Sequence, residues 1–384
     1  MVEQLFERTF GRSPQARAYA PGRIEFIGNH TDYNGGCALG AAVDRGISVA
    51  IAARNDRECH FVSEAMNQEV VAALDHITPL ANSFAWANYP LGVIHVLREE
   101  GFSVGQGIDL AVASSLPAGA GMSSSAAFEL ATAYGLAVLN GFEVDRKKMV
   151  QVCRRAENEF VGMPCGILDQ GTSAFGAPDH LVHVDCLTET FTQVPMPGSC
   201  HLWIFNSNKK HSLVDSKYSE RHRECSEAFE ILRHAEPEAA CLAHVSPSTV
   251  RAQQRELGET GFKRALHVTE ENLRVKEAVE ALKSGRLEIV GALLTASHQS
   301  SKTLFENSCA ELDYLVELLT DLPGVYGARL TGGGFGGAVM ALTDTTFEDL
   351  EGPAKIASCY TEKFGIEPTI FHTRTGKGAG QLVD

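Results

Sequence analysis

Apolar and polar positions along this chain repeat with two different periods. Residues 47–53 and 107–114 are short apolar runs rich in β-branched side chains and read as strands. The Ala-rich stretch 124–139 reads as a helix, and Asp145 is a suitable N-cap for a further helix reaching about residue 160. Residues 1–10 alternate charge with apolar side chains as a short amphipathic helix does. Beyond a strand at 202–206, the pattern turns helical over 216–235 and again over roughly 261–305. Strand-like runs return at 325–330, 338–342 and 369–372. Both halves are therefore expected to be α+β. Pro195, Pro197 and Gly198 make a turn-rich break, which sets expected domains at residues 1–198 and 199–384.

A chain of 384 residues, 44% of them hydrophobic, can bury the cores of two domains. Its 48 acidic and 33 basic residues give a net charge of −15, which disfavours nucleic acid and anionic membrane surfaces as partners. A nucleotide is not excluded, because backbone N–H groups and a metal ion can hold phosphate. The ten cysteines contain no C-x-x-C pair, and Cys241 with His244 lacks the second pair that a zinc site needs. Residues 1–10 lack the basic start and apolar stretch of a signal peptide, and no apolar run reaches membrane-spanning length. A cytoplasmic protein with reduced thiols is expected.

Four segments carry candidate chemistry. The first, A-P-G-R-I-E-F-I-G-N-H-T-D-Y-N-G-G at 20–36, packs Arg23, Asn29, His30, Asp32 and Tyr33 between glycines, a turn-prone stretch able to present several donors and acceptors to a polyhydroxylated ligand. The second, L-P-A-G-A-G-M-S-S-S-A-A at 116–127, is a glycine-rich turn leading into a helix, whose first N–H groups can meet a phosphate. An ordinary Ser-capped helix fits the same residues. The third, G-M-P-C-G-I-L-D-Q at 162–170, sets Asp169 in an apolar stretch, as a base, a sugar ligand or a helix cap. The fourth, T-G-G-G-F-G-G at 331–337, formally satisfies G-x-G-x-x-G, but a strand rather than a helix is expected after it, so a tight turn between strands fits better. Neither a Walker A loop nor the protein-kinase H-R-D and D-F-G elements occur.

Together and in this order, the four segments resemble the signature of the galactokinases within the GHMP small-molecule kinase superfamily. The resemblance runs from about residue 17 to the C-terminal region. It implies two domains, the N-terminal one like ribosomal S5 domain 2 and the C-terminal one ferredoxin-like, with the active site between them. It implies an ATP-dependent sugar 1-kinase using Mg2+, with Asp169 beside the anomeric hydroxyl and Arg23 holding that carboxylate ionised and stabilising the transferring phosphoryl group. Asn29, His30, Asp32, Gly166 and Tyr218 would meet the sugar. Gly119, Ala120, Gly121, Met122, Ser123, Ser124 and Ser125 would hold ATP together with Gly333 and Gly334 of the third motif, and Trp86 and Tyr89 would lie near the adenine. Ser125 and Glu157 are the candidates beside magnesium.

One departure bears on substrate choice. Where galactokinases usually read G-E-H-T-D, this chain reads Gly28-Asn-His-Thr-Asp32, so Asn29 replaces the glutamate that meets the C6 end of the sugar. An amide adds donors and removes charge. Galactose remains the expected substrate; another hexose or N-acetylgalactosamine, or a non-catalytic sensor of sugar and ATP, are the alternatives. A monomer is expected.

Overall fold

The computed structural model describes residues 2–117, 121–143, 145–209 and 214–383, side chains at 214–216 excepted. Twelve strands among them build two sheets. β1 (Ala16–Ile27), β2 (Cys37–Ala53), β3 (Glu58–Ser63), β4 (Gln68–Ala73), β5 (Ile108–Ser114), β6 (His180–Asp185) and β7 (Thr190–Pro195) belong to the first. β8 (His201–Asn206), β9 (Val325–Thr331), β10 (Ala338–Thr343) and β11 (Thr369–Thr373) form the second, in the order β11-β8-β10-β9. A two-residue strand, β12 (Gly380–Gln381), then returns to the first sheet and pairs with β1.

The first sheet runs β12-β1-β2-β5-β3-β4, with β6 and β7 attached along β2. β1 and β2 pair antiparallel, and their register shifts between Pro21 and Arg23 and again between Glu25 and Ile27. Pro21 lacks a ladder donor, and irregularities of this kind re-aim the side chains beside them. Residues 20–27, part of a segment that reads as a turn-prone loop in the sequence, are thus strand; the loop begins at Gly28.

The Ala-rich helix Ser124–Asn140 lies on the first sheet, where its small side chains allow close approach, and shares a core with the helix Asn88–Glu99. The stretch expected to be helical over 261–305 lies in the helix Gln254–Lys283, which is kinked at Gly258 (φ 65°) so that its long unbroken part begins just after that residue, and continues in Leu287–Ser300 and a π-turn at Ser301–Phe305. A second core joins the two sheets: Ile24, Phe26 and Leu39 from the first pack with Leu202, Ile204 and Met340 from the second and Val275 from the long helix. The halves therefore share buried apolar surface, and a pocket between them has fixed walls.

The helix Leu287–Ser300 lies tight against β9 at Gly291, where an added Cβ would lie 1.9 Å from the Tyr326 carbonyl oxygen. Alanine at 291 gains about 1 kcal/mol of helix propensity. The clash with β9 outweighs it, so Gly291→Ala is expected to lower the unfolding free energy by about 1–3 kcal/mol. Urea denaturation checks this: the midpoint should fall with an unchanged slope.

Candidate active site

The loop that follows β1 is buried, and buried backbone groups require partners. Turns within the loop supply some, with Thr31 Oγ1 donating to the Gly28 and Cys37 carbonyls, and the long helix Gln254–Lys283 supplies others. Glu271, wholly buried, accepts hydrogen bonds from the N–H groups of Gly28 and Asn29 at 3.0 and 3.1 Å and from Ser297 Oγ at 2.6 Å. Burial works against its charge, but Arg274, His267 and Arg329 hold the carboxyl down to about 2. Asn272 accepts from the Cys37 N–H at 2.8 Å, and His267 Nε2 lies 3.0 Å from the Asn29 carbonyl oxygen. A carbonyl only accepts, so His267 Nε2 carries the proton.

Arg23 lies at the centre of the pocket this loop borders. Its Nε and Nη2 donate to Asp169 Oδ1 and Oδ2, both at 2.7 Å, and its Nη1 donates to the Gly121 carbonyl at 2.9 Å. Burial opposes the positive charge, and Asp169 more than offsets it, so the guanidinium is raised above its ordinary value. Ser123 Oγ also donates to Asp169 Oδ2. Ser123 occupies the N-cap position of the helix Ser124–Asn140 but makes no capping bond, so its hydroxyl leaves the first helical N–H groups unfilled by its own side chain. Asp169 itself is the second residue of the helix Leu168–Phe175 and does not act as its cap. Gly119 and Ala120 lie outside the described residues.

Around this pair is a cavity of about 350 Å³, at the small end of ligand pockets. Asn29, His30, Asp32, Gly166 and Tyr218 all border it, as does Glu25. Asn29 is fully buried: its Nδ2 donates to Glu25 Oε1 and the Gly332 carbonyl, both at 2.9 Å, and its Oδ1 accepts from Ser301 and Asn307. His30 Nε2 donates to the Gly333 carbonyl at 3.1 Å, which leaves Nδ1 to accept from Tyr33 at 2.9 Å. Burial keeps the ring neutral, with its value lowered to about 3. Asn29 and His30 thus spend their polar atoms on the protein.

Asp32 stands against Gly166, where a Cβ would fall 2.0 Å from its Oδ2. Any larger residue at 166 would displace the carboxylate. Burial, then the charges of Glu25 and Asp169, raise Asp32 to about 7. Tyr218 stands 5.2 Å from His30 and 5.6 Å from Tyr33, ring centre to ring centre.

On the other side of Asp169, Ser125 and Gln170 hydrogen-bond to the buried Glu157, whose carboxyl is raised by burial and by Asp169. Glu129 is buried nearby, and its Oε1 has no partner. Hard oxygen donors, accumulated negative charge and an unmatched carboxylate oxygen together fit a magnesium ion that completes its shell with phosphates and water. Among the described residues, no group of three or more His, Cys, Asp or Glu has metal-holding geometry on its own.

Trp86 and Tyr89 pack against the first core; Trp86 stacks on Phe128 of the Ser124 helix and donates to Gln68 at 3.1 Å. Gly333 and Gly334 lie in the turn joining β9 to β10, as the strand pattern predicts. The Gly333 carbonyl accepts from His30, and a Cβ at Gly334 would meet the Asn307 carbonyl oxygen at 2.2 Å, which places both beside the loop that follows β1. The sequence reading missed Glu25, Glu271, Asn307 and Arg329. Glu25 lay inside a quoted motif; the other three have no local signature.

Comparison with known proteins gives a consistent picture. The GHMP kinases N terminal domain matches residues 88–177, the galactokinase galactose-binding signature residues 4–53, and the GHMP kinases C terminal domain residues 278–365. A galactokinase of Roseiflexus sp. is 36% identical over 387 residues, covering 100% of this chain and 97% of the relative. One from Thermotoga neapolitana is 39% identical over 368 residues, covering 95% and 100%. The structure of Lactococcus lactis galactokinase complexed with galactose superposes with a TM-score of 0.93 at 33% identity, covering 99% of this chain and 98% of that one. A mevalonate kinase structure, at 19% identity and TM-score 0.65, shares the fold.

The raised Asp32 makes a pH test. A carboxyl whose folded value exceeds its unfolded one keeps its proton longer in the folded state, so its contribution to stability is full below about pH 4 and is lost as pH rises toward about 7. Asp32→Asn abolishes this titration, while the opposing effects of His30 and His267 are common to both proteins. The unfolding free energy of wild type minus variant is expected to fall across that window by on the order of 1 kcal/mol per pH unit. Denaturant titrations at several pH values measure it, and a flat difference would show that Asp32 titrates normally.

Proposed function

The chain belongs to the galactokinase family of GHMP kinases and is an ATP-dependent sugar kinase, and on that premise we propose that it transfers the γ-phosphoryl group of ATP to the anomeric C1 hydroxyl of D-galactose. The products are galactose 1-phosphate and ADP. The observation that carries the reading is the bidentate Arg23–Asp169 pair, set between a sugar-sized cavity and the start of the Ser124 helix.

In this reading the C1 oxygen attacks the γ-phosphorus, the bond to the bridging oxygen of ADP breaks, and the hydroxyl proton leaves toward Asp169. A carboxylate offers about four acceptor positions. Arg23 and Ser123 use three on Asp169, which leaves one for the sugar hydroxyl. The residue is accordingly an orienting group as much as a base, in keeping with phosphoryl transfer that depends chiefly on position and charge. Arg23, fixed by Asp169 and the Gly121 carbonyl, offers its charge to the equatorial phosphoryl oxygens without reorganising.

Asp32, with Gly166 behind it, and Tyr218 are assigned to sugar hydroxyls; Asn29 and His30 shape that end of the pocket. Gly119 to Ser125 are assigned to the ATP phosphates, with Trp86 and Tyr89 toward the base and Gly333 and Gly334 also on the ATP side. Ser125 and Glu157 would hold Mg2+, which when bound neutralises charge on the phosphates. The division at 198 is proposed on the same footing, with β12 reaching back across it. Ten free cysteines support a cytoplasmic setting, and we assign a monomer. No helix among the described residues is long and apolar enough to cross a membrane.

ADP release with Mg-ATP across galactose, glucose, N-acetylgalactosamine, mannose and arabinose tests the reading, with the site of phosphorylation located by NMR. Preference for galactose at C1 is expected. Preference for another sugar moves the substrate, and galactose binding without ADP release makes the chain a sensor. Asp169→Asn is expected to lower kcat by roughly 10²- to 10⁴-fold while calorimetry still detects galactose binding. Near-normal turnover in the folded variant would remove Asp169 from this role.

A further inference from the structure

Glu25 is a carboxylate that neither the motif resemblance nor the mechanism above uses. It is buried, 6% exposed, and borders the cavity around Arg23 and Asp169. Its Oε1 accepts from Asn29 Nδ2 at 2.9 Å and from Arg329 Nη2 at 2.8 Å. Its Oε2 receives no hydrogen bond among the described residues, yet it is not sealed from the cavity as a buried orphan atom would be.

That asymmetry is informative. Arg329 is wholly buried and also donates to the Glu25 and Phe26 carbonyl oxygens. A carboxylate serving only as its counter-ion would turn both oxygens to the guanidinium, as Asp169 does to Arg23. Glu25 presents one oxygen to the protein and leaves the other to the cavity.

Position along the strand gives the direction. Arg23 and Glu25 are two residues apart on β1, so they share a face, separated by roughly 7 Å, the scale of a pyranose ring. Arg23 holds Asp169 and thereby marks the C1 end. Glu25 lies beside Asn29, at the position where the family's glutamate would meet the far end of the sugar. Asn29 cannot supply an acceptor there, because its Oδ1 already takes two hydrogen bonds from Ser301 and Asn307.

We propose that Glu25 is the specificity-determining carboxylate of this pocket, its Oε2 accepting a hydrogen bond from a hydroxyl at the end of the hexose remote from C1. The assignment rests on the sugar-kinase reading above. The negative charge lost at position 29 is restored from position 25, with the Asn29 amide and Arg329 holding the carboxylate in register. Because the acceptor is a carboxylate, the sugar must donate: a hydroxyl satisfies it and a C–F group does not.

The experiment compares galactose with its 4- and 6-deoxy and 4- and 6-deoxyfluoro analogues, reading kcat/KM by ADP release and affinity by calorimetry. In the wild type, removing the hydroxyl at one of these positions is expected to cost about ten- to hundredfold, and fluorine at that position should not restore the loss. Glu25→Gln should raise the galactose KM, leave the ATP KM within a few-fold, and shrink that deoxy penalty to a few-fold. Should Glu25→Gln not fold, Glu25→Asp keeps the charge beside Arg329 but withdraws the carboxylate by one methylene, and the same loss of the deoxy penalty is expected. Recovery of binding by fluorine, or a deoxy penalty as large in the folded variant as in the wild type, overturns the assignment of Glu25 while leaving the kinase reading intact. A wild type that forms no galactose 1-phosphate overturns both.

Discussion

The structure depends on satisfying the backbone of a polar loop that has been taken out of water. An unpaired buried N–H or C=O costs about 1–3 kcal/mol. Glu271 meets two such N–H groups at once, Asn272 a third, and His267 the carbonyl between them. His267 and Glu271 stand one turn apart on the same face of the long helix, and Asn272 follows next in the chain. The loop bordering the pocket therefore combines its own turns, in which Thr31 bonds to Gly28 and Cys37, with a helix from the other half of the chain. The shared core of Ile24, Phe26, Leu202 and Val275 fixes the distance at which that helix stands.

From this follows a separation of charge across the pocket. Arg23 is the one cation bordering the cavity it shares with Asp169 among the described residues, whereas Glu25, Asp32 and Asp169 are its carboxyl groups. An acid-rich lining suits a neutral polyol, whose hydroxyls donate, and repels an anion from the same volume. On the proposed function, the phosphates would meet instead the uncapped helix start and the cation that Ser125 and Glu157 would hold. On that proposal, Arg23 and Asp169 would stand on the border between two ligands of opposite demands.

Local features were legible where local physics decides them. The helix Ser124–Asn140 follows from its alanines and ends at Gly141, which adopts a left-handed conformation, and the glycine turn between β9 and β10 follows from the apolar runs on either side. Arg23 and Asp169 were legible as motif members, and the structure brings them into a bidentate pair. The fully satisfied state of Asn29 was not, because Ser301 and Asn307 lie 272 and 278 positions away and leave no periodic trace near residue 29. Nor was the strand character of residues 20–27, where Pro21 and Gly22 mimic a turn while sitting at a β-irregularity. Sequence pattern reports local period, and the asymmetry of Glu25 is set by a partner 304 positions downstream.

That separation has a consequence for how the chain matures. Chains emerge from the ribosome N-terminus first, and contacts between distant positions form late because loop closure must be met before they stabilise anything. Strand β1 is made early, but the groups that complete its pocket, Glu271 and Arg329, are synthesised long after it. Until then Glu25 and the loop at residue 28 lack the partners that make their burial tolerable, and they remain hydrated. The first half can gather its sheet during synthesis, whereas the binding pocket is a late event that nearly the whole chain must be present to achieve.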